Sequence, residues 1–298
     1  MSDEDLEALL AEARGEKRDA APGEVREEPP GAEPQQGARG AGAPPAGAGA
    51  PPAPESGLSR LLGLRVASHL SAREWELLLA TPLATGSLLL MAPLALASVH
   101  LTFAGSEEGA TLHFALALLA LCFGCGNASA EVVGERPLVL RERRFGVPVR
   151  SYLLSKLLGG ALLVSLQCLL LVSLSARSVH FDSPLPALYL VLFACALSGT
   201  CLGLLISSLA KRGRALLVLL PLVLLPQGLA WPGWSEVPAP LAFVQRGLPT
   251  FWTLEALDAL RSVEVSWAGL AQGLAGLAAC GLTCLTLAAF ALWSANEV

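Results

Sequence analysis

Charge is scarce in this sequence. Asp, Glu, Lys and Arg make up 15% of its 298 residues, against about 25% in a soluble globular domain. Aromatic residues are also few, at 6%, with two tyrosines. So apolar a chain, with a mean hydropathy of +0.57, excludes a soluble enzyme and a general nucleic-acid binder. The seven cysteines all fall inside apolar runs, which excludes a secreted disulfide scaffold. Cys122 and Cys125 have CxxC spacing, but no second pair accompanies them, so they read as small hydrophobes rather than a metal or redox site. His100, His113 and His180 read as isolated interfacial histidines, and no metal site is expected.

The charge that exists is unevenly spread. Residues 1–55 hold 12 acidic and 5 basic side chains, whereas residues 56–298 hold 13 and 15. Met1 is followed by Ser2, Asp3, Glu4 and Asp5 with no apolar run behind them, so no cleavable signal is expected. From Ala20 to Pro54 the chain is dominated by Pro, Gly, Ala and Glu, a composition that cannot bury enough surface to offset its ordering entropy. Residues 1–57 are therefore expected to be a disordered, acidic cytoplasmic tail. Within it, Asp5 to Ala13 puts Leu6, Leu9 and Leu10 on one face of two helical turns.

The rest of the chain is built from charge-free runs. Six of them, near residues 83–104, 110–130, 157–176, 185–210, 215–235 and 267–293, approach or exceed the roughly 20 helical residues that a bilayer core requires. Backbone groups in lipid must pair within their own segment, so the expected fold is all-α with six transmembrane helices over residues 58–298. Cations set the orientation. With a cytoplasmic N-terminus, Arg60, Arg65, Arg73, the five arginines from Arg136 to Arg150, Lys156, Lys211, Arg212 and Arg214 face inward, and Arg177, Arg246 and Arg261 face outward. That is 12 against 3, and both termini are then cytoplasmic. Leu58 to Thr81 is too charged to span and amphipathic enough to lie on the membrane surface as an elbow helix, with Trp75 at headgroup level.

Between the second and third runs stands EVVGERPLVLRERRFGVPVRSYLLSK, residues 131–156. Pro137 suits the first turn of a helix, and Gly146 with Pro148 suits its end. Arg141, Arg143 and Arg144 fall in its last turn, where cations complement the dipole. The expectation is a short, highly charged cytoplasmic helix over about 137–145, whose Glu131, Glu135 and Glu142 pair with cations of a partner or of the elbow helix.

Asn127 to Glu131 and then GERPLVLRERRFGVPVRSYLLSKLL, Gly134 to Leu158, resemble the membrane domain of ABC-2 type transporters, in particular the G-subfamily half-transporters and their bacterial relatives. VPAPLAFVQRGLPTFWTLEALDALR, Val237 to Arg261, is similar to the external segment that precedes the last span in that family. The resemblance covers roughly residues 58–295. It implies that residues 137–145 are a coupling helix docking on an ATPase. Arg141, Glu142, Arg143 and Arg144 would then transmit motion, while Glu135, Arg136, Tyr152 and Lys156 position the helix. No GxxxxGK[ST] loop is present, so ATP and Mg²⁺ would belong to a separate ATPase subunit and no cofactor to this chain. A second permease subunit, identical or different, is implied as well. The function this points to is the permease of an ATP-driven exporter in the cell membrane. The alternative is a non-transporting membrane anchor that recruits cytoplasmic partners.

No Asp, Glu, Lys or Arg stands inside the six runs, which argues against an ion-driven carrier. The polar exceptions are Asn127, Gln167, Thr200 and Gln227, which either line a substrate path or hydrogen-bond a neighbouring helix. Gly199 and Gly203, and Gly269, Gly273 and Gly276, form small faces for close packing within the chain. Pro221, Pro226 and Pro232 should kink or shorten the fifth run. Trp231, Trp234, Trp252 and Trp267 are expected at the outer boundary. No histidine stands near a mid-membrane Ser or Asp, as an intramembrane hydrolase would need.

Overall fold

The computed structural model describes Ser71 and residues 82–144, 148–210, 213–234, 238–262 and 265–294, all within the unit Pro54–Val298. The expected acidic tail, 1–57, and all of the expected elbow helix, 58–81, save Ser71 lie outside the described residues.

What is described is helical. The helices are α1 Pro82–Phe103, α2 Ala110–Ala128, α3 Glu131–Arg144, α4 Val149–Ser175 and α5 Leu185–Leu209, followed by α6 Leu216–Leu224, α7 Ala239–Arg246, α8 Pro249–Arg261 and α9 Trp267–Ser294. Five segments are long and apolar enough to cross a membrane: Ala110–Arg136, Val149–Ser175, Leu185–Leu209, Gly213–Ala230 and Trp267–Ser294. In the position of the first expected span, α1 contributes a shorter apolar stretch, Leu90–Phe103. The chain is a multi-pass membrane protein.

The helix ends follow local chemistry. Pro148 and Pro184, both extended, open α4 and α5. After α1 the chain turns through Gly105, whose φ of 75° lies where a side chain would be strained. The fifth expected span is interrupted as its prolines suggest. The α-helix stops at Leu224, and Leu225–Ala230, which contains Pro226, continues as a 3-10 helix.

The centre of the bundle is the α2–α5 pair. Leu116 and Leu121 of α2 and Leu188, Leu192 and Leu204 of α5 are fully buried. The two backbones touch: a Cβ on Gly199 would come within 2.5 Å of the Leu121 carbonyl oxygen, and one on Gly203 within 2.6 Å of that of Cys125. On α9, Gly269 faces the Cβ of Ala259, Gly273 faces Ala256 and the Trp252 carbonyl, and Gly276 lies against the Trp252 ring. Both small faces therefore serve packing within the chain. By contrast Leu217, Val218 and Leu222 of α6, and Leu225 just after it, are exposed.

α7 and α8 fall within the expected external segment, Val237 to Arg261. At about 1.5 Å per residue, the 28 residues of α9 span about 42 Å, with Cys280 at mid-height. The Cys280 thiol donates to the Gly247 carbonyl at 3.6 Å, and Trp252 packs on Gly276. The junction between α7 and α8 thus stands halfway along α9. From there α8 runs antiparallel to α9 toward the end of the bundle that holds the 104–109 and 176–184 connections. Arg246, expected in an outer loop, and Trp252, expected at the boundary, both lie beside the middle of α9. Periodicity could not reveal this, because a helix of 13 residues is too short to register as a span.

Candidate functional site

The helix expected at 137–145 is longer and begins earlier. It runs over the 14 residues of Glu131–Arg144, separated from α2 only by Ser129 and Ala130, with Pro137 in its interior. A proline there costs one backbone hydrogen bond, so tertiary contacts must favour the earlier start, and three are present. First, the Val133 N–H, an orphan donor of the first turn, donates to Ser207 Oγ of α5 at 3.0 Å. Second, the Arg136 guanidinium donates to the Ala210 carbonyl at 2.9 Å, capping the C-terminal end of α5, where a cation also suits the helix dipole. Third, Lys156 of α4, only 5% exposed, places its ammonium 2.7 Å from Glu131 Oε2 and 2.9 Å from Glu135 Oε1. The Tyr152 hydroxyl completes the cluster by donating to Glu135 Oε2 at 3.2 Å.

Glu135, Arg136, Tyr152 and Lys156 are thus brought together. Glu131 and Glu135 pair with Lys156 inside the chain rather than with an outside cation. Beneath them Val132 and Val139 of α3 pack with Tyr152, Leu153, Leu204, Ala288 and Leu292. One end of the bundle therefore gathers α3, the start of α4 and the ends of α5 and α9. Arg141, Glu142, Arg143 and Arg144 lie on the last turn of α3, but their side chains fall outside the described ones.

The four polar residues of the spans take separate positions. Asn127 donates to Gln167 Oε1 at 2.7 Å, joining α2 to α4. The Thr200 hydroxyl returns to the Ala196 carbonyl at 3.0 Å. Gln227 accepts from the Thr250 hydroxyl at 2.8 Å, tying the 3-10 segment to α8. Of the four, Gln227 lines a cavity of about 580 Å³, together with Arg246, Trp252, Cys280 and Thr283. A smaller apolar cavity of about 310 Å³ opens between α4, α5 and α9, at Ser198 and Cys201.

At the opposite end of the bundle lies a group that pattern reading missed. Glu108, just before α2, is 6% exposed. Its carboxylate accepts from the backbone N–H groups of Asp182 and Ser183 at 2.7 and 2.9 Å and from the Ser183 hydroxyl at 2.7 Å. It also lies 2.6 Å from His113 Nε2. Burial would raise the carboxyl pKa; the four donors, Ser183 foremost, outweigh it and hold the group below its ordinary value. Only the position of an acid beside the apolar run, matched by polar Asp182 and Ser183 before α5, hinted at this clasp. His100, for its part, meets the Ser178 hydroxyl at 2.8 Å. Among the described residues, no group of three or more His, Cys, Asp or Glu could hold a metal ion, and all seven cysteines are free.

A bundle of apolar spans with a charged helix pinned to its neighbours at one end is the architecture of a polytopic membrane domain. The sequence pattern described as ABC-2 family transporter protein matches residues 91–290, from within α1 almost to the end of α9, and the chain belongs to that family. Comparison with curated proteins gives no match.

Proposed function

We propose that this chain is the permease subunit of an ATP-driven exporter, working with a separate ATPase subunit and a second permease subunit. The end of the bundle that carries α3 faces the cytoplasm in this reading, and both termini lie on that side. α3 is the coupling helix. ATP-driven closure of the partner displaces it, and the spans rock about a central path between inward-open and outward-open states. No bond is made or broken on this chain, and ATP and Mg²⁺ belong to the partner.

The observation that carries the reading is the anchorage of α3. A connecting loop needs no fixed relation to the spans, whereas a lever does. Here Lys156 fastens α3 to α4, Arg136 and Ser207 fasten it to α5, and a two-residue elbow joins it to α2. A push on it would reach three spans at once. The arginines of its last turn offer the cationic chemistry to meet an acidic groove on an ATPase.

The test is co-purification with an ATPase encoded beside this chain, followed by ATP hydrolysis and transport in proteoliposomes. Arg141→Glu with Arg143→Glu and Arg144→Glu should abolish the association while the protein still inserts. Lys156→Met should leave the ATPase bound but reduce transport per ATP hydrolysed. A chain that binds no ATPase, or an epitope at Gly213 reached only from outside intact cells, would overturn the proposal.

A further inference from the structure

Arg246 stands at the junction of α7 and α8, level with Cys280 halfway along α9. Its backbone is fixed: its carbonyl accepts from the Trp252 indole N–H at 2.7 Å, Gly247 accepts from Cys280, and Gln245 of the same helix donates to the Leu229 carbonyl at 3.0 Å. The side chain, itself exposed, forms no ion pair with any described residue, and it lines the cavity of about 580 Å³ between α5, α6, the 3-10 segment, α7, α8 and α9.

The lining is otherwise neutral. It contains no Asp or Glu, and its other polar side chains are occupied, Gln227 by Thr250 and Thr283 by the Ala279 carbonyl at 2.8 Å. A guanidinium set beside apolar walls is costly unless it meets an anion or water. It presents five N–H donors in a fork that matches a carboxylate or phosphate. The volume falls within the range of about 300–1,000 Å³ typical of small-molecule sites. The remaining walls, among them Leu202, Leu222 and Trp252, suit an apolar body.

We propose that this cavity binds an amphiphile with an oxyanion head, carboxylate or phosphate, that Arg246 holds the head, and that such a molecule belongs to the cargo class. The inference rests on the permease reading for the word cargo. The binding site itself is measurable without any ATPase.

The experiment uses the full chain in neutral-lipid nanodiscs, with oleate and lysophosphatidate as the anionic probes and monoolein as the neutral one. Wild type should bind at least one anion 10-fold or more tightly than monoolein. Arg246→Gln should remove that preference, leaving monoolein unchanged, and Arg246→Lys should restore part of it. The two anions separate a carboxylate from a phosphate site. Unchanged thermal unfolding and monoolein binding in the Gln variant show that the cavity persists. Equal binding of anions and monoolein by wild type, or an anion preference that survives in Arg246→Gln, would overturn the assignment. So would a variant that loses only self-association by native mass spectrometry, since Arg246 would then serve a second copy. Loss of ATPase association with retained anion binding would sink the permease reading alone, and the reverse would sink this inference alone.

Discussion

Glu131 and Lys156 meet at 2.7 Å, one at the first residue of α3 and the other two turns into α4. With Glu135 they form a cluster of two carboxylates around one buried ammonium. The cation therefore holds together two groups that would otherwise repel each other.

Removing the cation should cost more than removing an acid. Lys156→Met leaves two neighbouring carboxylates unpaired. Because their side chains are 39% and 31% exposed, the loss is about 1–3 kcal/mol rather than the larger penalty of a wholly buried pair. Glu131→Gln alone should cost under about 1 kcal/mol, since Glu135 still holds the lysine. Adding Glu131→Gln and Glu135→Gln to Lys156→Met should recover much of the loss. Thermal unfolding in detergent reads all three.

The α2–α5 contact should tolerate no side chain where the backbones touch. Gly199→Val and Gly124→Val each drive carbon into the facing backbone. Each should cost about 1–3 kcal/mol or prevent assembly of the bundle. Gly134→Val, where nothing lies within 4 Å of an added Cβ, controls for the loss of a glycine as such. Membrane expression level and melting temperature distinguish them.

The Glu108 clasp should be acid-sensitive. Its carboxyl pKa is depressed by folding, so its contribution is complete above the ordinary value of about 4.3. It falls as pH drops below that value and is gone once pH passes beneath the folded value. Melting curves between pH 7 and pH 3 should converge for wild type and Glu108→Gln. At neutral pH, Glu108→Ala should cost about 1–3 kcal/mol, because the Asp182 and Ser183 N–H groups lose their acceptor.

Asn127 and Gln167 should couple in a double-mutant cycle. Asn127→Leu removes the donor to Gln167 Oε1 and Gln167→Leu removes the acceptor, whereas the double substitution removes both. The coupling between membrane helices is expected at about 0.6 kcal/mol and under about 2. If transport by the single variants falls while the cycle shows no coupling, the pair acts on a passing substrate instead of bracing α2 against α4.

Legibility in the sequence followed length. Runs of twenty or more apolar residues announce α2, α4, α5 and α9, because lipid admits little else. The proline-broken fifth run likewise ends in a 3-10 segment. Short elements were read less well. Pro137 signals a helix start, but Lys156 and Ser207, distant in sequence, supply the acceptors and donors that begin α3 six residues earlier. Pro238 and Pro249 mark two short helices, yet nothing local states their depth; that is fixed by Gly273 and Gly276 admitting Trp252. Glu135, Arg136, Tyr152 and Lys156 were legible as a group only through the resemblance of Gly134 to Leu158 to the family's motif, because no local pattern singles them out from the other charges of that stretch.

The anchorage of α3 has an evolutionary corollary. Because one short rod is pinned to three spans, the ends of those spans form a single plate that can only be traded as a unit. Exchange of cargo between relatives should therefore be found in substitutions lining the gaps between helices. The plate itself should accept paired changes, such as a swap of acid and base between Glu135 and Lys156, far more readily than lone ones.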